Sequence, residues 1–217
     1  MNRPASLALL AILLGVSPAA AQVATRPIDG RFAAGYAEPG GRGGDAFDSG
    51  WNIAGGATFH FAPNSPFGLR FDLGLTRFEA TRHHDEALTT VGDSRVEDGY
   101  MVIESLSVGA SYEFGGRGRF GVSIAAGLAE YSRYRYVNET VLVNRVSCDP
   151  LGGVCFGYVA GQATSDSDRL SRPGYDFDLT VAFPLPSRRE VYIEGAYHRM
   201  ESDDAMRYVP IVLGYRW

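Results

Sequence analysis

Residues 209–217 read Val-Pro-Ile-Val-Leu-Gly-Tyr-Arg-Trp. Val209, Ile211, Leu213, Tyr215 and Trp217 are apolar or aromatic at every second position, and Pro210, Val212, Gly214 and Arg216 fill the other face. The stretch predicts a β-strand with one greasy side. A barrel that closes within a membrane needs such a last strand to pair back onto its first one. The rest of the chain must then supply the other strands.

At the opposite end, Arg3 precedes an apolar run over residues 7–16 and then Ala19-Ala20-Ala21 before Gln22. This is the pattern of a secretory signal peptide cut after Ala21. The run is shorter than the roughly 20 apolar residues of a spanning helix. The expected organisation is a signal peptide at 1–21 and one domain at 22–217.

No later stretch is apolar enough for a membrane helix, but a barrel hides its hydrophobicity by alternation, so a mean hydropathy of −0.10 excludes nothing of that kind. The 27 glycines, 12 tyrosines and 12 phenylalanines suit strands, tight turns and interfacial belts better than helices. A net charge of −5, with the arginines scattered, argues against nucleic acid as a partner. Every basic side chain other than histidine is arginine; this carries no function by itself.

Seven further segments alternate with period two: residues 30–38, 50–62, 67–80, 100–114, 120–137, 174–185 and 189–201. With the terminal strand they make eight. The segments after which the chain turns tightly, at 63–66, 115–118 and 186–188, interleave with those followed by longer connections at 39–49, 81–99, 138–173 and the short 202–205. Tight turns at one end and loops at the other are the signature of an all-β, eight-stranded antiparallel up-and-down transmembrane β-barrel, with the loops extracellular. Aromatic residues sort likewise. Phe59, Phe61, Phe67, Phe114, Phe120, Phe183, Tyr215 and Trp217 fall beside the turns or the terminus, and Tyr36, Trp51, Phe78, Tyr100, Tyr131, Tyr175 and Tyr197 fall near the loops. Two aromatic girdles are expected. In a soluble barrel the face opposite the apolar one would be rich in charge, whereas here it is mostly Gly, Ala, Ser and Thr.

The signal peptide, the eight segments and the closing pattern of Val209, Ile211, Leu213, Tyr215 and Trp217 together resemble the small bacterial outer-membrane β-barrels of the OmpA/OmpX type. The family usually ends in Phe where this chain has Trp217. The resemblance implies a place in the outer membrane, contact with outer-membrane lipids and lipopolysaccharide, and reading of the last strand as a signal by the outer-membrane assembly machinery. It also implies a porin-like, OmpA-like envelope protein; as the chain stops at its last strand, no peptidoglycan-binding domain is expected after the barrel. No cofactor is implied.

Eight strands enclose a space just wide enough for side chains. The alternation puts His60, Arg70, Asp72, Glu113, Asp176, Asp178, Glu194, His198 and Arg216 inside. At low dielectric they must pair, so a salt-bridge network plugging the lumen is expected. Cys148 and Cys155 flank the turn-forming run 149–153, and in an exported chain they predict a disulfide at a hairpin tip rather than a metal site. Strand-like residues on both sides of the cysteines extend segments five and six into a protruding hairpin. That hairpin makes 138–173 a candidate surface for an extracellular protein partner.

The leading expectation is a non-enzymatic barrel acting through its outer loops in surface interaction, adhesion or envelope integrity. Two alternatives are a narrow conduit for small hydrophobic molecules and a lipid A modifying enzyme. Against the enzyme, His198 is followed by Arg199 and Met200, so no serine stands two positions along its strand as a nucleophile. His83, His84 and Asp85 read as solvated loop residues rather than a metal site. Pro210 removes a ladder donor, so a bulge or an unpaired position is expected there.

Overall fold

The computed structural model describes residues 28–62, 65–80, 93–114, 120–144, 158–186, 189–201 and 206–217. The expected signal peptide at 1–21, Cys148 with Cys155, and His83, His84 and Asp85 lie outside them. Eight strands close into one barrel in sequence order. They are β1 (Ile28–Gly40), β2 (Gly50–His60), β3 (Phe67–Glu79), β4 (Asp93–Phe114), β5 (Gly121–Asn144), β6 (Tyr158–Leu185), β7 (Arg189–Met200) and β8 (Arg207–Arg216). Every neighbouring pair is antiparallel, so no crossover is needed and each segment pairs with the next along the chain.

The seam is made by β1 and β8, from Arg31 opposite Arg216 to Gly40 opposite Arg207. Beyond it Gly30 and Trp217 exchange backbone hydrogen bonds of 3.1 and 3.0 Å. The indole covers Gly30 so closely that a β-carbon there would stand 2.7 Å from the ring. Glycine is required by that approach. On the other side of β8 the ladder with β7 pairs Gly195 with Ile211 and His198 with Tyr208, and skips the positions between. The register is unchanged across the gap, so the missing donor of Pro210 produces an unpaired step and no bulge.

Three strands outrun the others. β4, β5 and β6 have 22, 24 and 28 residues against 10 to 13 in the rest. A tilted spanning strand needs about 9–11 residues. β3 stops beside Tyr100 and β7 beside Gly174, yet β4, β5 and β6 go on pairing out to Asp93 and Asn144. Their outer parts form a three-stranded sheet standing off the barrel rim. The stretch read as a loop at 81–99 therefore holds strand at 93–99, and the expected extension of segments five and six is present as strand at 138–144 and 158–173. Register shifts at Val96/Asp98 and Thr140/Leu142 bend this part.

Two aromatic expectations are corrected. Phe78 and Tyr131 are fully buried inside the barrel and do not belong to the girdle. The reason is parity: Phe78 falls in step with the inward Arg70 and Thr76, and Tyr131 with the inward Ala129 and Arg133.

Candidate functional site

The lumen is built in two layers. In the half nearer the tight turns it is ionic. Glu194 on β7 accepts both guanidinium nitrogens of Arg31, each at 2.8 Å, together with Arg70 Nη2 at 3.2 Å and the Thr180 hydroxyl at 2.8 Å. Arg31 Nε also meets Asp72 at 2.9 Å, and Arg70 bridges to Asp72 and, at 3.0 Å, to Asp178. The Arg31 guanidinium lies 5.5 Å from the Tyr192 ring centre. That ring fills the space left by Gly214, where a β-carbon would come within 2.1 Å of it. Nearer the turns, Arg216 donates at 2.7 Å to Glu190 and to Glu113, and His60 Nε2 stands 3.1 Å from Asp29.

Every one of these charges comes from an inward position of a period-two strand. The nine residues assigned inward from the sequence all stand in the lumen; six of them (Arg70, Asp72, Glu113, Asp178, Glu194 and Arg216) have an oppositely charged neighbour there, and His60 bonds Asp29. The other two part company. Asp176 takes a hydroxyl bond from Ser107, and His198 bonds Tyr131 through Nδ1 at 3.1 Å while stacking on Tyr208 at 4.5 Å. Arg31, Asp29 and Glu190 complete the network and were not singled out. One further step of the same alternation finds each of them: Arg31 beside outward Phe32, Glu190 beside outward Val191.

Toward the loops the lumen turns apolar. Phe78, Met101, Ile103, Tyr131, Met200, Met206 and Tyr208 pack together, and Phe47 drops in from the first connection. Phe47 is held by a bridge to Ala80 and by the Asp48 amide donating to the Glu79 carbonyl at 2.8 Å. Two voids in the lumen measure about 20 and 30 Å³. Each has room for a water or two and neither is a channel.

The outside is the reverse of this interior. Leu128, Leu213 and Ile211 are 73%, 61% and 58% exposed, and Phe32, Trp51, Phe71, Leu106, Phe177 and Ile193 stand on the same exterior, while Arg31, Arg70, Asp178 and Glu194 are buried. Only a lipid surround makes such an inside-out distribution stable, and a closed sheet presents no open strand edge to it. The chain is an eight-stranded transmembrane β-barrel.

Among solved structures the barrel is similar to Neisserial surface protein A, with 13% identity and a TM-score of 0.49 over 88% of this chain and 96% of that one. It is also similar to Ail, the attachment invasion locus protein of Yersinia pestis, at 14% and 0.46 over 88% and 100%. The N-terminal β-barrel domain of Pseudomonas aeruginosa OprF follows at 11% and 0.40 over 88% and 98%. No protein-family model and no curated protein sequence matches the chain. At these identities no function is carried over.

Outside the membrane, the sheet of β4, β5 and β6 has two edges without a pairing strand among the described residues, at 93–98 and 158–172. Exposed Ser165, Asp166, Ser167, Asp168, Arg169, Ser171 and Arg172 run along the second. Arg133 ties the sheet to the barrel mouth through Asp168 at 3.0 Å. On the outward face Tyr100 packs with Tyr134 and Tyr136 at 6.0 and 5.7 Å, and Arg77 stacks over Tyr100 at 4.9 Å.

Proposed function

We propose that this barrel is a non-enzymatic surface-interaction protein that works through the protruding sheet of β4, β5 and β6. The carrying observation is that three neighbouring strands, and only those, continue far beyond the length a membrane requires. A sheet with free edges offers backbone donors and acceptors to an extended segment of a partner. Its alternating serines, aspartates and arginines keep such an edge from self-association and favour a polar partner.

The packed lumen ranks this reading above the hydrophobic conduit. His198 weighs against the lipid A enzyme, because it faces inward, stacked on Tyr208 and edge-on to Tyr131, away from the acyl chains it would have to reach. A protein acting only in envelope integrity would not need the extension.

The test replaces residues 139–164 by an Asn-Gly turn, joining Asn138 to Ser165, which face each other in register. Cells producing the trimmed barrel should carry it in the outer membrane at the usual level and lose adherence to epithelial monolayers and to immobilised matrix proteins. Equal adherence by both forms would refute the reading.

A further inference from the structure

On the outer wall of β7 and β8, the apolar row of each strand ends toward the loops in an arginine. Arg199 follows Tyr197, Arg207 precedes Val209, and the two are register partners, both exposed on the exterior. Residues directly opposite on antiparallel strands carry their β-carbons about 4.5–5.5 Å apart, and like charges there repel. Several other arginines have acidic partners: Arg77 meets Glu79 at 2.9 Å, and Arg31, Arg70 and Arg216 are bridged inside. Among the described residues neither Arg199 nor Arg207 makes an ion pair. The nearby Glu38 receives the Tyr36 hydroxyl at 2.5 Å instead.

The two side chains are nevertheless held. Arg199 Nη1 donates to the Tyr175 hydroxyl at 3.2 Å and its guanidinium lies 5.9 Å from that ring's centre, with Tyr197 6.5 Å from Tyr175. Arg207 leans the other way, its Nε over Gly40, where a β-carbon would come within 3.3 Å. Two guanidiniums thus stand apart on either side of one register position, at the depth where the apolar wall gives way to tyrosines. That is headgroup depth in a membrane.

We propose that Arg199 and Arg207 form a docking site for a lipid headgroup of the outer leaflet whose phosphate carries net negative charge, with its acyl chains along Ile193, Val209 and Ile211. Guanidinium binds phosphate oxygens through paired, charge-assisted hydrogen bonds, and an anion between the two arginines removes their repulsion. Tyr175 and Tyr197 give the sugar or glycerol part an aromatic surface. The site rests on the membrane wall alone and is independent of the protruding sheet, so trimming the sheet leaves it intact.

The test is native mass spectrometry of the purified full barrel released from detergent, offered diphosphoryl lipid A, phosphatidylcholine or inorganic phosphate. The unaltered protein should retain lipid A, lose that retention when both phosphates are removed from the lipid, and hold neither phosphatidylcholine nor inorganic phosphate comparably. Arg199→Gln with Arg207→Gln should lower lipid A retention about tenfold, the loss of one or two such hydrogen-bonded contacts, while Arg77→Gln should match the unaltered protein. Equal retention of dephosphorylated lipid by the unaltered protein would overturn the proposal, as would full retention by the double variant. Displacement of lipid A by millimolar inorganic phosphate would reassign the pair to free phosphate and overturn the lipid assignment.

Discussion

Glu194 is the residue on which the lumen turns. Its carboxylate receives Arg31 twice, Arg70 once and Thr180 once, at the middle of a wall that excludes lipid and nearly excludes water. Removing one partner of a buried pair leaves the other uncompensated, and that costs more than the intact pair contributes. Glu194→Gln keeps the shape and removes the charge facing two guanidiniums. It should destabilise the barrel by about 3–5 kcal/mol, whereas Thr180→Val, which removes a neutral donor from a carboxylate that keeps its arginines, should cost about 1 kcal/mol. Urea unfolding in lipid vesicles measures both. If Thr180→Val proved the costlier change, Glu194 would not be the centre of the network.

At the scale of elements, the seam between β1 and β8 depends on a contact that alternation alone does not reveal. Period two put Val209, Ile211, Leu213, Tyr215 and Trp217 on the lipid face and closed β8 near Phe32, and Phe32 pairs with Tyr215. It did not show that Trp217 lies on Gly30, because a contact across a seam depends on register and side-chain volume as well as on phase. The same limit explains Phe78 and Tyr131: proximity to a loop suggested a girdle, and parity put them inside. The lumen charges were legible wherever a strand was followed to its end, and Arg31 and Glu190 lay one residue beyond the pairs considered. The extension of β5 and β6 as a hairpin was legible in the strand-like residues around the cysteines, whereas that of β4 was not. Residues 165–172, rich in Asp and Ser, carry turn composition and become strand only by pairing with β5. The seam contact is testable. Gly30→Ala should push the indole off β1 and cost about 1–3 kcal/mol, seen as a lower folded fraction by heat-modifiable gel mobility after refolding into micelles. Trp217→Phe, with a smaller ring, should recover part of that loss in the Gly30→Ala background. No recovery would mean that the glycine serves the backbone and makes no room for the tryptophan.

Over the whole molecule, the two lumen layers act as closures in series. The ionic layer around Glu194 and the apolar layer around Phe78 and Tyr131 each span the barrel, and an ion must pass both. An eight-stranded barrel is narrow enough that either set of side chains fills its section. An apolar constriction also blocks ions by refusing water, even where a gap opens. The closures should therefore combine as a logical series. Phe78→Ala with Tyr131→Ala removes apolar bulk and leaves the ionic layer across the bore. Arg31→Ser with Glu194→Ser removes a bidentate pair together, so no lone charge is left from it, and leaves the apolar layer. Planar-bilayer recordings should show no steady conductance for the unaltered barrel or for either double variant, and an ohmic conductance for the fourfold variant. Conductance from the apolar double alone would show that the charged layer does not seal, and conductance from the unaltered barrel would return the conduit reading to first place.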